Sequence, residues 1–455
     1  MTSAEFPSLA SLLEKAGGAV PLLRSSQLPP FTFPGQPINH DTWRDEHRSW
    51  RQTISLFNMS FHMTELRLRG KDVIPFLQKY AVNKLGTFAV LSAKQLVVTA
   101  PDGNLIGDAI IQREDEDFFR IAGAPPLLDW LTFTAIGEAL DVTTERDEAW
   151  LPWDQHDRDI YRLQLQGPNV MALLTELVGD TFPDIGFFRI GEFAIAGRPV
   201  RAVRHGMAGT PGFEIYGPWA DHETVRTAIE EAGTKHGLVK VGGLQPAFPV
   251  ESGWFSMPLP AIYTDPYFAE YREWLDTRYV ETIASLRGSR IRDNVEDYYV
   301  DAIEAGYGKL VDWDQDFLGR DALREKADNQ KRRKVSLVWN DEDVTAAIGA
   351  GLFGNPSPGH YVSLPNLTYG TFQNDAVVVG GETVGASTLA LYSSNAEHVL
   401  SNAIVGLEHA EPGTEVTVLW GDPTLPHGGN NGSELREIRA TVATSPYFAK
   451  ENAKL

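Results

Sequence analysis

The chain has 455 residues, with 61 acidic and 40 basic side chains and a net charge of −21. Nucleic-acid affinity comes mainly from basic side chains that neutralise phosphates, so a nucleic-acid partner is not expected. Cysteine is absent, which excludes disulfides, thiolate nucleophiles and cysteine-held zinc or iron–sulfur centres.

The start, MTSAEFPSLASLLEKAGG, carries Glu5 and Glu14 and has no continuous apolar core. It does not read as a signal peptide, and no run of about 18 apolar residues follows that would span a membrane, so a cytoplasmic protein is expected. SLASLLEKAG has helical spacing, and QLPPFTFPGQP, with Phe31 and Phe33, reads as a proline-bearing loop. The segment LFNMSFHM then brings Met59 and His62 close together in sequence. TELRLRG alternates like a strand and KDVIPFLQKY is spaced like a helix. KQLVVTA and LIGDAIIQR are strands around the turn PDGN, and DFFRIAGAP is a strand that ends in a small-residue corner at Gly123.

A second unit opens at YRLQLQGP, where Leu163 and Leu165 alternate with Gln164 and Gln166. Pro168 suits the first turn of the helix NVMALLTELVG. FAIAGRPVRAVR continues as strand, and HETVRTAIEEAGTKHG is a helix ended by Gly237. Beyond about residue 332 the pattern changes to short β segments with glycine-bearing turns, as in a small barrel or sandwich. The change divides the chain into residues 1–331 and a β-rich segment, residues 332–455.

The most informative stretch is RHGMAGTPGFEIYGP, from Arg204 to Pro218. Gly206, Gly209 and Gly212 permit a tight turn or a close backbone approach. In FEIY, Phe213 and Ile215 would face one side and Glu214 and Tyr216 the other. An acid fixed between a glycine-rich loop and a strand suits a ligand contact; a solvated glutamate on a surface hairpin is the alternative. Metal chemistry finds no support. DQHDRD around His156 lies in a polar linker, and His360, His398, His409 and His427 lack ligand-like spacing. Neither GxxxxGK[ST] nor HExxH occurs.

The ordered set LQGP (165–168), RxGxxGxxGxE (204–214), ESGW (251–254) and DFLGRDAL (316–323) resembles the folate-binding aminomethyltransferase family. RGKD (69–72), RHGMAG (204–209), PLPAIYT (258–264) and EDYYV (296–300) match its tetrahydrofolate-dependent aromatic O-demethylases, which act on vanillate, 3-O-methylgallate, syringate and dicamba. The resemblance implies an α+β, glycine cleavage T-protein-like fold: two interleaved α+β subdomains around a central folate site, plus a C-terminal β barrel. It also implies methyl transfer from a methoxylated aromatic compound to tetrahydrofolate, giving 5-methyltetrahydrofolate and a phenol. An iron–sulfur assembly factor shares this fold but carries a cysteine motif that this chain lacks.

By resemblance, Glu214 accepts hydrogen bonds from the pterin ring, Gln164 contacts folate, and Trp254 packs against it. Adjacent pterin N–H donors suit a two-point carboxylate acceptor. His62 matches a substrate-pocket histidine and is the candidate for handling the leaving-group proton near neutral pH; as a lone histidine beside Phe61 and Met63, it also reads as a core residue. Several positions depart from the family pattern. Gly123 stands where the vanillate-type enzymes have a carboxylate-binding arginine, and Gln245 or a neighbour stands where they have a catalytic tyrosine. Phe31 and Phe33 replace two tyrosines, Met59 replaces a glutamine, and Gly107 replaces the first of the family's paired aspartates, leaving Asp108. Phe31, Phe33, Met59, His62, Gly123 and Gln245 thus outline a substrate pocket more apolar than its relatives. A buried carboxylate without a charged partner is costly, so vanillate is disfavoured. The expected substrate carries no carboxylate, carries chlorines as dicamba does, or binds its acid through another basic residue. A tetrahydrofolate-dependent demethylase of N-methyl or S-methyl compounds and a non-catalytic folate-binding protein are the alternatives.

Overall fold

The computed structural model describes residues 6–26, 28, 33, 36, 39–147, 158–242, 248–256, 258–353, 362, 370–424, 426–427, 430–431 and 434–449. Phe31, Gln245, His156 and His360 lie outside these, as does the side chain of His427. The chain forms two compact units: one of Thr32–Leu96 and Asp108–Phe248, the other of Met1–Phe31, Val97–Gly107 and Pro249–Leu455.

The first unit is organised by two sheets. Their strands are β1 (Ile54–Asn58), β2 (Thr64–Arg69), β3 (Ser92–Thr99), β4 (Leu105–Asp115), β5 (Phe118–Gly123) and β6 (Thr143–Asp147), then β7 (Ile160–Gln166), β8 (Ile190–Ile195), β9 (Arg198–Arg204), β10 (Gly212–Pro218) and β11 (Leu238–Val241). One sheet has the order β11-β1-β7-β10-β9-β8 and the other β3-β4-β5-β2-β6. The stretch FAIAGRPVRAVR is a hairpin of β8 and β9, turning at Ala196 and Gly197 with φ of 49° and 73°. Those positive φ values at both turn residues fit the twist of the flanking strands.

Period-2 alternation decides what each face of the six-stranded sheet meets. Tyr161, Leu163, Leu165, Ala202, Phe213 and Ile215 are buried in one core with Val170, Leu173 and Leu174 of the helix Val170–Val178 and Val225 and Ile229 of the helix His222–Gly233. Gly237, at φ 75°, ends the segment after the second helix, as the sequence predicts. Asn169 is the N-cap of Val170–Val178, so Pro168 precedes the helix and is not in its first turn. The opposite face carries Arg162, Gln164, Gln166, Glu214 and Tyr216, and all five are buried. Both faces of β10 are therefore covered, which removes the solvated-hairpin alternative for Glu214.

The loop between β9 and β10 is pinned by β7. Gln166 donates to the Thr210 carbonyl (2.9 Å) and accepts from the Met207 N–H (2.9 Å). A Cβ on Gly206 would lie 2.2 Å from the Thr210 carbonyl oxygen, so glycine here is a steric requirement.

In the second unit, six strands close a barrel in the order Arg332–Trp339, His398–Gly406, Glu382–Ser393, Asp375–Val379, Glu415–Trp420 and Arg436–Ala443. Val335, Leu337 and Trp339 alternate inward, as do Val416, Val418 and Trp420, and Ile438, Ala440 and Val442. The polar end of Trp339 is satisfied by Ser401 Oγ at 3.0 Å. The helix Asp341–Leu352, which the strand-rich pattern does not predict, starts at Asn340, whose side chain accepts from the Asp343 N–H, and packs Val344 and Ala347 against the barrel core.

Gly206→Ala tests the loop. The added methyl meets backbone that Gln166 holds in place, so the melting midpoint should fall by the equivalent of roughly 1–3 kcal/mol. An unchanged midpoint in calorimetry would show that the loop gives way freely.

Candidate functional site

The buried polar face of β7 and β10 meets side chains from β2, β4 and β5. Arg162 donates through Nε to Glu65 Oε1 (2.9 Å) and through Nη1 to Glu214 Oε1. Glu65 also accepts from Arg120 (3.1 Å). Arg120 lies 3.6 Å from Glu114, which in turn holds Arg201 and accepts from the Tyr216 hydroxyl at 2.9 Å. The result is a ladder of alternating charge between two sheets of one unit. Removing one member of such a buried set leaves another charge uncompensated.

Glu214 stands directly opposite Gln164 in the β10–β7 register. Besides Arg162, it has Gln112 Nε2 at 3.4 Å and His205 Nε2 at 3.4 Å. Burial works against its ionisation, but the Arg162 charge and the His205 contact outweigh burial and lower its pKa to about 2. Glu214 is therefore an anionic acceptor throughout the physiological range. Burial likewise disfavours the Arg162 charge, and the attraction of Glu214 and Glu65 more than reverses this.

Gln164 is fully buried, and its amide nitrogen donates to the carbonyls of His205 (3.1 Å) and Leu165 (3.3 Å). That fixes the amide orientation and leaves Gln164 Oε1 buried with no hydrogen-bond partner among the described residues. Gln112 is also fully buried, and its Oε1 is unpartnered in the same way. A buried acceptor left without a partner costs desolvation energy. One anionic acceptor beside two unfilled amide oxygens fits a ligand with a row of N–H donors.

His62 lies just beyond β1, its N–H bonded to the Met59 carbonyl at 3.1 Å. Its ring stacks on the buried Phe33 (5.0 Å between centroids, 22° between planes), and Gln36 Nε2 is 3.2 Å from Nδ1. That contact engages the Nδ1 edge of the ring, and an Nδ1 that accepts there puts the ring proton on Nε2. Desolvation lowers the His62 pKa to about 4, so near neutral pH the ring is neutral. The sequence-based expectation of proton exchange near pH 7 gives way to that of a neutral hydrogen-bond donor. Met59 is buried and its N–H bonds the Arg162 carbonyl at 2.9 Å, so the His62 turn and Arg162 share a backbone contact.

Gly123 ends β5 paired with Ala109, and a Cβ there would lie 2.6 Å from the Ala109 Cβ. The position has no space for an arginine. Asp108, on β4, accepts from Gln95 at 2.9 Å. Trp254 belongs to the other unit, where its carbonyl accepts from Asn402 (2.9 Å), while Glu251 of the same motif accepts from Ser393 (2.6 Å). Among the described residues, no cluster of histidine and acidic side chains is arranged to hold a metal. Arg162, His205, Gln112 and Glu65 were not singled out from the sequence. Period-2 counting along YRLQLQ places Arg162 on the Gln164 face and could have found it, whereas the other three depend on tertiary pairing.

The GCVT N-terminal domain family matches residues 14–245. The chain is 39% identical to the syringate O-demethylase of Sphingobium sp. (strain NBRC 103272 / SYK-6), over 97% of this chain and 96% of that one. It is 31% identical to the sesamin methylene transferase of Sinomonas sp. (strain No.22), over 84% and 83% of the two chains. In fold it is similar to the glycine cleavage system aminomethyltransferase T of Bartonella henselae (TM-score 0.60, 17% identity, 97% of each chain covered). The protein belongs to the GCVT aminomethyltransferase family.

Arg162→Met tests the ladder. It strands Glu65 and Glu214 in a buried site, so stability near neutral pH should fall by roughly 3–5 kcal/mol. In the wild type the Glu214 pKa lies near 2, below its ordinary 4.5. Its stabilising contribution is therefore complete above pH 4.5 and is lost as pH falls through 2. Without Arg162, burial pushes the Glu214 pKa upward, so the loss at low pH disappears and the variant's deficit is greatest at neutral pH and shrinks as pH falls and the stranded carboxyl takes up a proton. Urea titrations at several pH values that give parallel curves for both proteins would contradict this.

Proposed function

We propose that the protein is a tetrahydrofolate-dependent O-demethylase that takes the methyl group of a methoxylated aromatic compound. The observation that carries this reading is ionised Glu214 beside the unfilled acceptors of Gln164 and Gln112. The pterin of tetrahydrofolate presents adjacent amide and amine donors, which a carboxylate accepts at two points. The similarity to a syringate O-demethylase across nearly the whole chain supports the aromatic substrate class. Tetrahydrofolate, when bound, supplies the N5 that receives the methyl group.

The residues of this chain then do two things. Glu214 and Gln164 orient the pterin, and alignment of this kind contributes several kcal/mol to a displacement at carbon. His62 donates from Nε2 to the ether oxygen and stabilises charge as the phenolate leaves. Gly123 provides no cation for a substrate carboxylate, so ring recognition rests on apolar contacts such as Phe33 and Met59, with Phe31 and Gln245 at the positions the family uses for the substrate. Residues 1–331 form the catalytic core and residues 332–455 the barrel domain. No helix among the described residues is long and apolar enough to cross a membrane, and we place the enzyme in the cytoplasm.

The test is incubation with tetrahydrofolate and a panel of syringate, vanillate, dicamba, neutral methoxyarenes and a methylenedioxyarene, followed by mass spectrometry. Methylated folate should form from at least one methoxyarene; binding without turnover would favour the non-catalytic alternative. Methyl transfer only from N-methyl or S-methyl compounds would redirect the substrate class.

Glu214→Gln should weaken tetrahydrofolate binding by roughly 1.5–3 kcal/mol, because one charged acceptor becomes an amide donor facing donors. Equal affinity in calorimetry would remove Glu214 from the site. His62→Ala should lower single-turnover methyl transfer about a hundredfold. Because its pKa is near 4, His62 should give the wild-type rate no inflection around pH 6.5. A histidine-dependent acid limb there would show that the ring titrates in catalysis.

A further inference from the structure

We infer that Gln112, on β4, is a direct ligand contact: its Oε1 accepts from the exocyclic amine of the pterin, extending the Glu214 acceptor onto the second sheet. This deepens the proposed folate reading and rests on it. Gln112 is fully buried, and its Nε2 is 3.4 Å from Glu214 Oε1. Reversing the amide would place its oxygen against an ionised carboxylate, so Glu214 fixes the orientation. The carbonyl end is left buried, with no partner among the described residues. A glutamine that served only to steady Glu214 would gain nothing from burying an unfilled acceptor.

The donor count of the ligand explains it. Glu214 can take the pterin ring amide N–H and one hydrogen of the adjacent amine. The other amine hydrogen then needs its own acceptor, and Gln112 Oε1 is the one the facing sheet offers. On the far side of the ring amide lies a carbonyl, which is itself an acceptor and cannot satisfy Gln112 Oε1. Gln164, from the same sheet as Glu214, and Gln112, from the facing sheet, therefore hold the ring from two directions.

The test pairs a protein change with a ligand change. Tetrahydrofolate and 2-desamino-tetrahydrofolate are titrated calorimetrically into wild type, Gln112→Met and Gln112→Leu, with melting curves identifying which variants fold. The variants should lose roughly five- to thirtyfold in tetrahydrofolate affinity, as expected for one buried hydrogen bond. Against the analogue lacking the amine, the same variants should bind within about twofold of wild type. Wild-type affinity of both variants for tetrahydrofolate would overturn the inference. An equal loss for both ligands would also overturn it, since Gln112 would then act only by holding Glu214. Failure of wild type itself to bind tetrahydrofolate would instead bring down the folate reading, and this inference with it.

Discussion

The site depends on one cation, the guanidinium of Arg162, buried between Glu65 of one sheet and Glu214 of another. A planar guanidinium with donors in a fixed fork can serve two carboxylates at once, which an ammonium group cannot do with the same geometry. Without it, burial would drive Glu214 toward its neutral acid, a form that donates a hydrogen bond where the proposed folate contact calls for an acceptor. Arg162 therefore sets the chemical state of a residue whose position is set by β10.

That position comes from backbone rather than from charge. A Cβ on Gly212 would lie 2.8 Å from the His205 carbonyl oxygen and 2.9 Å from that of Leu165. The strand can therefore enter the sheet only with glycine there, and Glu214 follows two residues later. Gln164 closes the same corner by donating to the His205 carbonyl. One side chain thus fixes the loop and presents an acceptor beside Glu214. The glycine spacing and the acid serve the same local geometry, which is why they occur together in the sequence.

Alternation made much of this legible. The inward residues of the barrel, the two faces of β10 and the end of the helical segment at Gly237 all follow from period and turn chemistry. Glu214 and Gln164 stood out through the ordered motifs, not through composition. Gln112 did not, because LIGDAIIQR reads simply as a strand, and only the facing of two sheets brings residues 112 and 214 together. The protonation state of His62 was equally hidden. Sequence places it beside Phe61 and Met63, but the desolvation that keeps it neutral comes from its folded surroundings, including Phe33, which is distant in sequence.

The charge balance of the ladder bears on what the site accepts. Glu65, Glu114 and Glu214 are matched by Arg120, Arg162 and Arg201, so the anionic acceptor already has its counter-charge within the protein. A cationic amine entering beside Glu214 would approach Arg162 as well and gain little net attraction in a buried site. A neutral ring with several N–H donors needs no new counter-charge and fills acceptors that are otherwise desolvated and unpaired. Asp108, the second of the positions where the family has paired aspartates, is engaged by Gln95 and has Gly107, not an acid, before it. The lack of that paired acid weighs against a charged amine substrate and for a neutral methyl donor, in keeping with the substrate side proposed at Phe33, Met59 and His62.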